Sequence, residues 1–216
     1  MTLIGAGPVD PAALARAMAL APDLVAADGG GDTDLPDAAM LHAVIGDMDS
    51  LADAGALRRR GVALHQIAEQ ESTDLEKCLY SVAAPRYLGL GFLGGRVDHT
   101  LAAMNVLVRY PHRPVLLLGA QDLCFACPSD WSLDVPRGLR VSLFPMAPVT
   151  GGACSGLRWP VEGLAMAPAA RTGTSNEALG GDLRLAFDAP GMIVILPAEM
   201  LEPVFATLEE RHGYHS

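Results

Sequence analysis

Six short apolar runs recur through the first 120 or so residues, with helical patterns between most of them. They are Thr2–Ala6, Leu24–Ala27, His42–Ile45, Val62–Ile67, Tyr87–Phe92 and Val115–Leu118. Runs this short and this continuously apolar suit strands buried on both faces, and their alternation with helices predicts a parallel, doubly wound α/β sheet. Asp10-Pro11 opens the first helix with a capping residue followed by Pro at the first helical position. Ser72 or Thr73 caps a helix running to about Val82, and another runs from near Asp98 to about Arg109. Arg58-Arg59-Arg60 reads as the polar face and C-terminal end of a helix.

The pattern changes at about Gln121. Leu123–Ala126, Arg140–Phe144, Leu183–Phe187 and Met192–Leu196 are strand-like, with Pro, Gly and Ser clusters between them and a short helix expected over Glu199–Glu210. The expected organisation is an α/β domain over residues 1–121 and a small all-β sandwich over 122–216.

Composition narrows the partners. The chain of 216 residues is 50% hydrophobic and carries a net charge of −10. That balance opposes nucleic acid and anionic membranes, which need clustered Lys and Arg. The apolar runs are too short to cross a bilayer, and the start, MTLIGAGPVD, lacks the basic region of a signal peptide, so a cytoplasmic location is expected. Cys124-Phe-Ala-Cys127 has the spacing of half a zinc site or a redox pair. The ligands to complete a zinc site are missing and the stretch is strand-like, so buried free thiols are expected.

Four polar clusters follow predicted strands: Asp28-Gly29-Gly30, Gly46-Asp47-Met48-Asp49-Ser50, Ser72-Thr73-Asp74-Leu75-Glu76-Lys77 and Gly94-Gly95-Arg96-Val97-Asp98-His99. Ligands of open α/β sheets bind at the carboxyl ends of strands, so these clusters share one rim. Converging carboxylates repel unless a cation joins them, and magnesium with a polyphosphate suits hard oxygen donors. Glycines beside them let a phosphate approach the backbone. Lys77 is the only lysine among fifteen basic residues, a compact ammonium suited to a phosphate oxygen, with a surface ion pair to Asp74 as the plainer reading. Gly95-Arg96 before a helix start suits an anion, while His99 alone reads as a structural histidine.

With Gly156-Leu157-Arg158-Trp159 and Thr174-Ser175-Asn176-Glu177, these motifs make six in order, and in them the chain resembles thiamine pyrophosphokinases over nearly its full length. The resemblance implies an α/β ATP domain, a β-sandwich thiamine domain, and a homodimer in which thiamine lies between subunits. It implies Asp47, Asp49, Asp74 and Asp28 as magnesium ligands. ATP would meet Asp28, Gly29, Gly30, Ser50, Thr73, Lys77, Gly94, Gly95 and Arg96. Thiamine would meet Trp159, Ser175, Asn176 and Asp98. Asp74, Lys77, Arg96 and Asp98 would carry catalysis, with the proton acceptor either Asp74 or Asp98. A tryptophan face suits a cationic aromatic ring, although a tryptophan is more often core. One departure stands out: the family often has Asn where Ala103 stands here, and Asn105 comes two places later.

Three rivals remain: a pterin diphosphokinase of similar motifs, a non-catalytic thiamine or nucleotide sensor, and a dinucleotide-binding oxidoreductase. The last rests on Gly5-Ala6-Gly7 with Asp28 downstream, but Asp10 stands where its third glycine is required.

Overall fold

The structure is a computed structural model that describes residues 1–36 and 40–208. The chain divides into two compact units, Met1–Val106 with Leu117–Ala120, and Leu107–Leu116 with Gln121 onward.

The first unit runs β1 (Thr2–Ile4), α1 (Pro11–Leu20), β2 (Leu24–Ala27), β3 (Leu41–Gly46), α2 (Ala54–Arg59), β4 (Ala63–Gln66), α3 (Asp74–Ser81) and β5 (Tyr87–Leu90). The division falls within α4 (Val97–Arg109) and β6 (Val115–Leu118). The strands β5-β1-β2-β3-β4 pair in that order, all parallel. Every residue of β1, β2 and β5 is buried, which is why these strands read as continuous apolar runs. Strand order reverses between β1 and β5, the switch point at which a crevice opens above the carboxyl ends.

Local chemistry explains the boundaries. Asp10 caps α1, its carboxylate accepting the Ala13 N–H, with Pro11 at the first helical position. Asp53 caps α2, and Arg58 and Arg59 fill its last turn, where their charge complements the helix dipole. Thr73 rather than Ser72 caps α3, in a box closed by Glu76. Strand β1 ends earlier than its apolar run suggests. Beyond Ile4, the Gly5 and Gly7 N–H groups turn to the carbonyls of Leu90 and Gly91. Between β2 and β3 the chain makes a 3₁₀ turn over Asp28–Asp32.

The second unit is β-rich. It contains β7 (Asp122–Ala126), β8 (Asp130–Val135), β9 (Arg140–Pro145), β10 (Val149–Thr150), β11 (Ala165–Met166), β12 (Gly173–Glu177), β13 (Gly181–Ala186) and β14 (Met192–Pro197), then α5 (Leu201–Thr207). An antiparallel sheet runs β12-β9-β14-β7, β8 pairs with β13, and β10 with β11. Trp131 is core here, packed on Phe125 at 5.1 Å between ring centroids, with its indole N–H donating to Thr207 Oγ1. The expected terminal helix is a 3₁₀ turn over Ala198–Met200 followed by α5, and Glu209 and Glu210 lie outside the described residues. Cys124 and Cys127 are buried and all four cysteines are free. Burial pushes the Cys124 thiol up to about 12. Among the described residues no helix is long and apolar enough to cross a membrane.

Candidate active site

A cavity of about 780 Å³ lies in the first unit at the switch point, with Gly5 and Gly7 after β1 and Gly91 after β5 in its wall. Backbones nearly touch here. A Cβ on Gly7 would stand 2.5 Å from the Gly91 carbonyl oxygen, and Gly91 itself has φ +75°. Gly5 and Gly7 therefore serve a close crossing of two strand ends. Asp10, which stands where a dinucleotide motif requires its third glycine, is committed to capping α1. Both observations count against the oxidoreductase reading.

Asp28, Asp47 and Asp49 converge in this region, each offering an oxygen within 4.8 Å of the other two. Asp28 is 4% exposed and takes a left-handed backbone, φ 43°. Its Oδ1 accepts the Met48 N–H at 3.0 Å, and Met48 is itself left-handed. Asp47 accepts the Asp49 N–H, and Gln70 donates its amide to Asp47 Oδ2 at 2.7 Å. The Gln70 bond and the Asp49 N–H hold the Asp47 carboxyl below its ordinary value. Ser50 donates its hydroxyl to Asp49 Oδ1. A buried carboxylate beside two others has the hard, anionic donor set of a divalent cation such as magnesium.

Asp74 stands outside this triplet but within its field. Partial burial, then the charge of Asp28, raises its carboxyl pKa, while Lys77 works the other way. Lys77 is only 2% exposed, its ammonium 3.7 Å from Asp74 Oδ1 in the cavity wall. The surface ion pair is thereby excluded: the one lysine is a buried cation beside clustered anions. Thr73 also lines the cavity, though its hydroxyl oxygen is used to cap α3.

Arg96 and Asp98 line the cavity as a forked pair, with Nε to Oδ1 at 3.1 Å and Nη2 to Oδ2 at 2.6 Å. Asp98 Oδ1 also accepts the His99 N–H. The Arg96 fork holds Asp98 below the usual carboxylate range. Ala103 lies in the cavity wall, whereas Asn105 is exposed and outside it. Two residues turn a helix by about 200°, so Asn105 faces away from the cavity wall that Ala103 joins.

Not every expected glycine meets the cavity. Gly95 lines it, but Gly29, Gly30 and Gly94 do not. A Cβ on Gly30 would stand 2.1 Å from the Ile4 carbonyl oxygen, so packing accounts for that glycine. Gly29 lies against Ser50 and Ala6, and Gly94 is a left-handed turn residue, φ +81°. Gln70 and Phe92 line the cavity as well, and Gly5 and Gly7, which fit a dinucleotide motif in sequence, serve the strand crossing instead. A glutamine or phenylalanine carries no sequence signal until the fold brings it to the cavity.

Trp159, Ser175 and Asn176 form a group in the second unit. Trp159 is 54% exposed, so it is not a core tryptophan. The Arg158 guanidinium carbon lies 5.0 Å from its ring centroid. Ser175 is exposed and left-handed, φ 59°, in a register shift of β12 between Gly173 and Asn176. Asn176, expected at thiamine, is buried. It is 5% exposed, and its amide bonds the backbone of Trp159 and Glu177.

Two family models match the chain. The thiamin pyrophosphokinase catalytic domain matches residues 14–117, and the thiamin pyrophosphokinase vitamin B1 binding domain matches 132–191. The chain is 28% identical over 152 residues to thiamin pyrophosphokinase 1 of Caenorhabditis elegans, covering 63% of this chain and 62% of that one. It is 29% identical over 149 residues to thiamine pyrophosphokinase 1 of Oryza sativa subsp. japonica, covering 61% and 56% respectively. The alignments thus span about 60% of those relatives' length. In fold, the chain resembles thiamin pyrophosphokinase from Candida albicans at a TM-score of 0.76 and 15% identity, covering 91% of this chain and 88% of that one. With both of its family models matched in order, and together spanning most of its length, the chain belongs to the thiamin pyrophosphokinase family.

Proposed function

We propose that the protein transfers the terminal diphosphate of ATP to the hydroxyl of thiamine, giving thiamine diphosphate and AMP. The observation that carries this reading is the grouping of Asp28, Asp47 and Asp49, of which Asp28 and Asp47 line the switch-point cavity together with buried Lys77. Clustered anions with one buried ammonium suit a metal-bound polyphosphate better than a nicotinamide dinucleotide. The match of residues 132–191 to a vitamin B1 binding domain supports thiamine as acceptor.

In this reading Asp28, Asp47 and Asp49 hold magnesium, which when bound neutralises phosphate charge. The thiamine oxygen attacks the β-phosphorus, the bond from that phosphorus to the α–β bridging oxygen breaks, and AMP leaves with the electron pair. Lys77 Nζ, and the N–H groups of Arg96 that its fork to Asp98 leaves over, offset charge on the transferred group. We assign the hydroxyl proton to Asp74, because both oxygens of Asp98 are engaged by Arg96. Trp159 offers an exposed indole face to the cationic thiazolium or the pyrimidine, and Ser175 an outward hydroxyl.

We further propose a cytoplasmic homodimer in which the α/β domain of one subunit, residues 1–121, works with the β domain of the other, residues 122–216. Mixing Asp47→Asn and Trp159→Ala proteins would then restore activity by pairing one intact site. The test of the reaction itself is product analysis by mass spectrometry after incubation with thiamine, ATP and magnesium. AMP and thiamine diphosphate in equal amounts are expected. ADP with thiamine monophosphate would overturn the assignment, and binding without turnover would favour the sensor.

A further inference from the structure

We infer that Asn176 is a positioning residue for Trp159 rather than a contact for the ligand. The inference rests on the reading of Trp159 as the thiamine platform. Asn176 Oδ1 accepts the Trp159 N–H at 3.1 Å, and Nδ2 donates to the Trp159 carbonyl at 2.7 Å. A single amide thus satisfies both main-chain groups of one residue, as a neighbouring strand would. Oδ1 also accepts the Glu177 N–H at 2.8 Å. An asparagine amide has two acceptor positions and two donor hydrogens. Both acceptor positions and one donor are spent on backbone, and the residue is 5% exposed.

The backbone around Asn176 explains how its side chain comes to face inward. Ser175 is left-handed, and the register of β12 shifts between Gly173 and Asn176. A shift of this kind re-aims side chains. Here it leaves Ser175 exposed and Asn176 buried against the Trp159 main chain. Trp159 lies outside any strand or helix, so no regular ladder fixes its backbone. The residue is more than half exposed, and its ring is covered on one side by Arg158, which is itself paired to Glu177 at 3.3 Å. The preceding residue is anchored by its own N–H, which donates to the Glu177 carbonyl at 2.8 Å, so the Asn176 amide is what holds the Trp159 N–H and carbonyl themselves, and without it the stacking face is less ordered.

A double-mutant cycle tests this in the full-length protein. Thiamine binding is measured by titration calorimetry for the parent, Asn176→Ala, Trp159→Ala and the double variant. Melting temperature and ATP affinity are followed in parallel. Asn176→Ala should weaken thiamine binding by about fivefold or more while ATP affinity holds, and should add nothing once Trp159 is gone. It should also lower the fluorescence anisotropy of the exposed tryptophan, which a purely global loss of stability would not do below the melting transition. Additive losses would mean that Asn176 touches thiamine itself, and would overturn the proposal. So would unchanged affinity in Asn176→Ala. If Trp159→Ala binds thiamine like the parent, the platform reading fails, and this inference fails with it. Should Asn176→Ala not fold, Asn176→Asp keeps the acceptor but sets a charged oxygen against the Trp159 carbonyl in place of the donor, and the same cycle applies to it.

Discussion

Asp28 Oδ1 accepts the backbone N–H of Met48 at 3.0 Å, and both residues hold left-handed backbones, φ 43° and 68°. Non-glycine residues in that region carry a strain of order 1–3 kcal/mol each, retained where surrounding structure demands it. The bond ties the end of β2 to the turn after β3 and so brings Asp28 to Asp47 and Asp49. Asp28→Asn keeps an acceptor for Met48 but loses a charge. It should fold with metal-free stability equal to the parent's or higher, because repulsion among the carboxylates is relieved. Asp28→Ala should lose about 1–3 kcal/mol, since it also leaves the Met48 N–H without its acceptor. Both should bind Mn²⁺ at least about tenfold more weakly by electron paramagnetic resonance. Parent-like Mn²⁺ affinity in the Asn variant would remove Asp28 from the metal site.

Lys77 is buried and faces Asp74, so charge and shape can be separated at this position. Lys77→Arg keeps the charge but must fit a larger planar fork into space filled by a slender stem. Lys77→Met keeps the stem and loses the charge. Each should reduce kcat by about a hundredfold or more if the ammonium meets the transferred phosphates. A circular-dichroism melt close to the parent's for Lys77→Met would assign the loss to chemistry rather than folding. Near-parent turnover in both variants would reduce Lys77 to a structural cation.

At the crossing of Gly7 and Gly91 a methyl group has no room. Gly7→Ala places its Cβ 2.5 Å from the Gly91 carbonyl oxygen, and Gly91→Ala adds a strained φ of +75° to a 2.4 Å contact with Gly5. Overpacking of this kind costs about 1–3 kcal/mol, and the left-handed conformation adds to it at Gly91. Urea unfolding should therefore rank parent, Gly7→Ala, Gly91→Ala in decreasing stability. The same substitutions should weaken ATP binding, because both strand ends form the cavity wall. Gly94→Ala, where a Cβ meets open space, bears only the strain of φ +81° and should be milder.

The thiols give a check that depends on burial alone. Burial pushes Cys78 and Cys124 up to about 12, so neither forms thiolate near pH 8. Cys127 is also buried, and Cys154 is intermediate with its thiol also raised by burial. Ellman's reagent should label at most Cys154 in the folded protein at pH 8, and all four thiols in guanidinium. Rapid labelling of Cys124 or Cys127 in the folded state would revive a redox or metal role for that pair.

Much of the site was legible because charge and glycine leave strong marks in sequence. Asp28, Asp47 and Asp49 follow apolar runs that can only be buried strands, and a carboxylate at a buried strand end needs a partner. The cap at Thr73 and the helix carrying Lys77 follow from the same local chemistry. Burial of Lys77, the engagement of Asp98 by Arg96 and the assignment of Gly30 to packing were not legible. Each depends on which atoms from distant parts of the chain come within a few ångströms.

The sequence by itself determined the parallel α/β architecture, the β-rich second half and the family. Those depend on periodicity, caps and motif order, all of them local. Only the tertiary structure decided how the residues divide their work. It placed Gly5 and Gly7 against Gly91, held Asp74 outside the three-carboxylate group, and turned Asn176 inward onto Trp159 while Ser175 stayed exposed. The physical reason is that an amide, carboxylate or ammonium can serve a ligand only with the hydrogen-bonding capacity its own fold leaves free. That remainder is set by long-range packing, which no local pattern encodes.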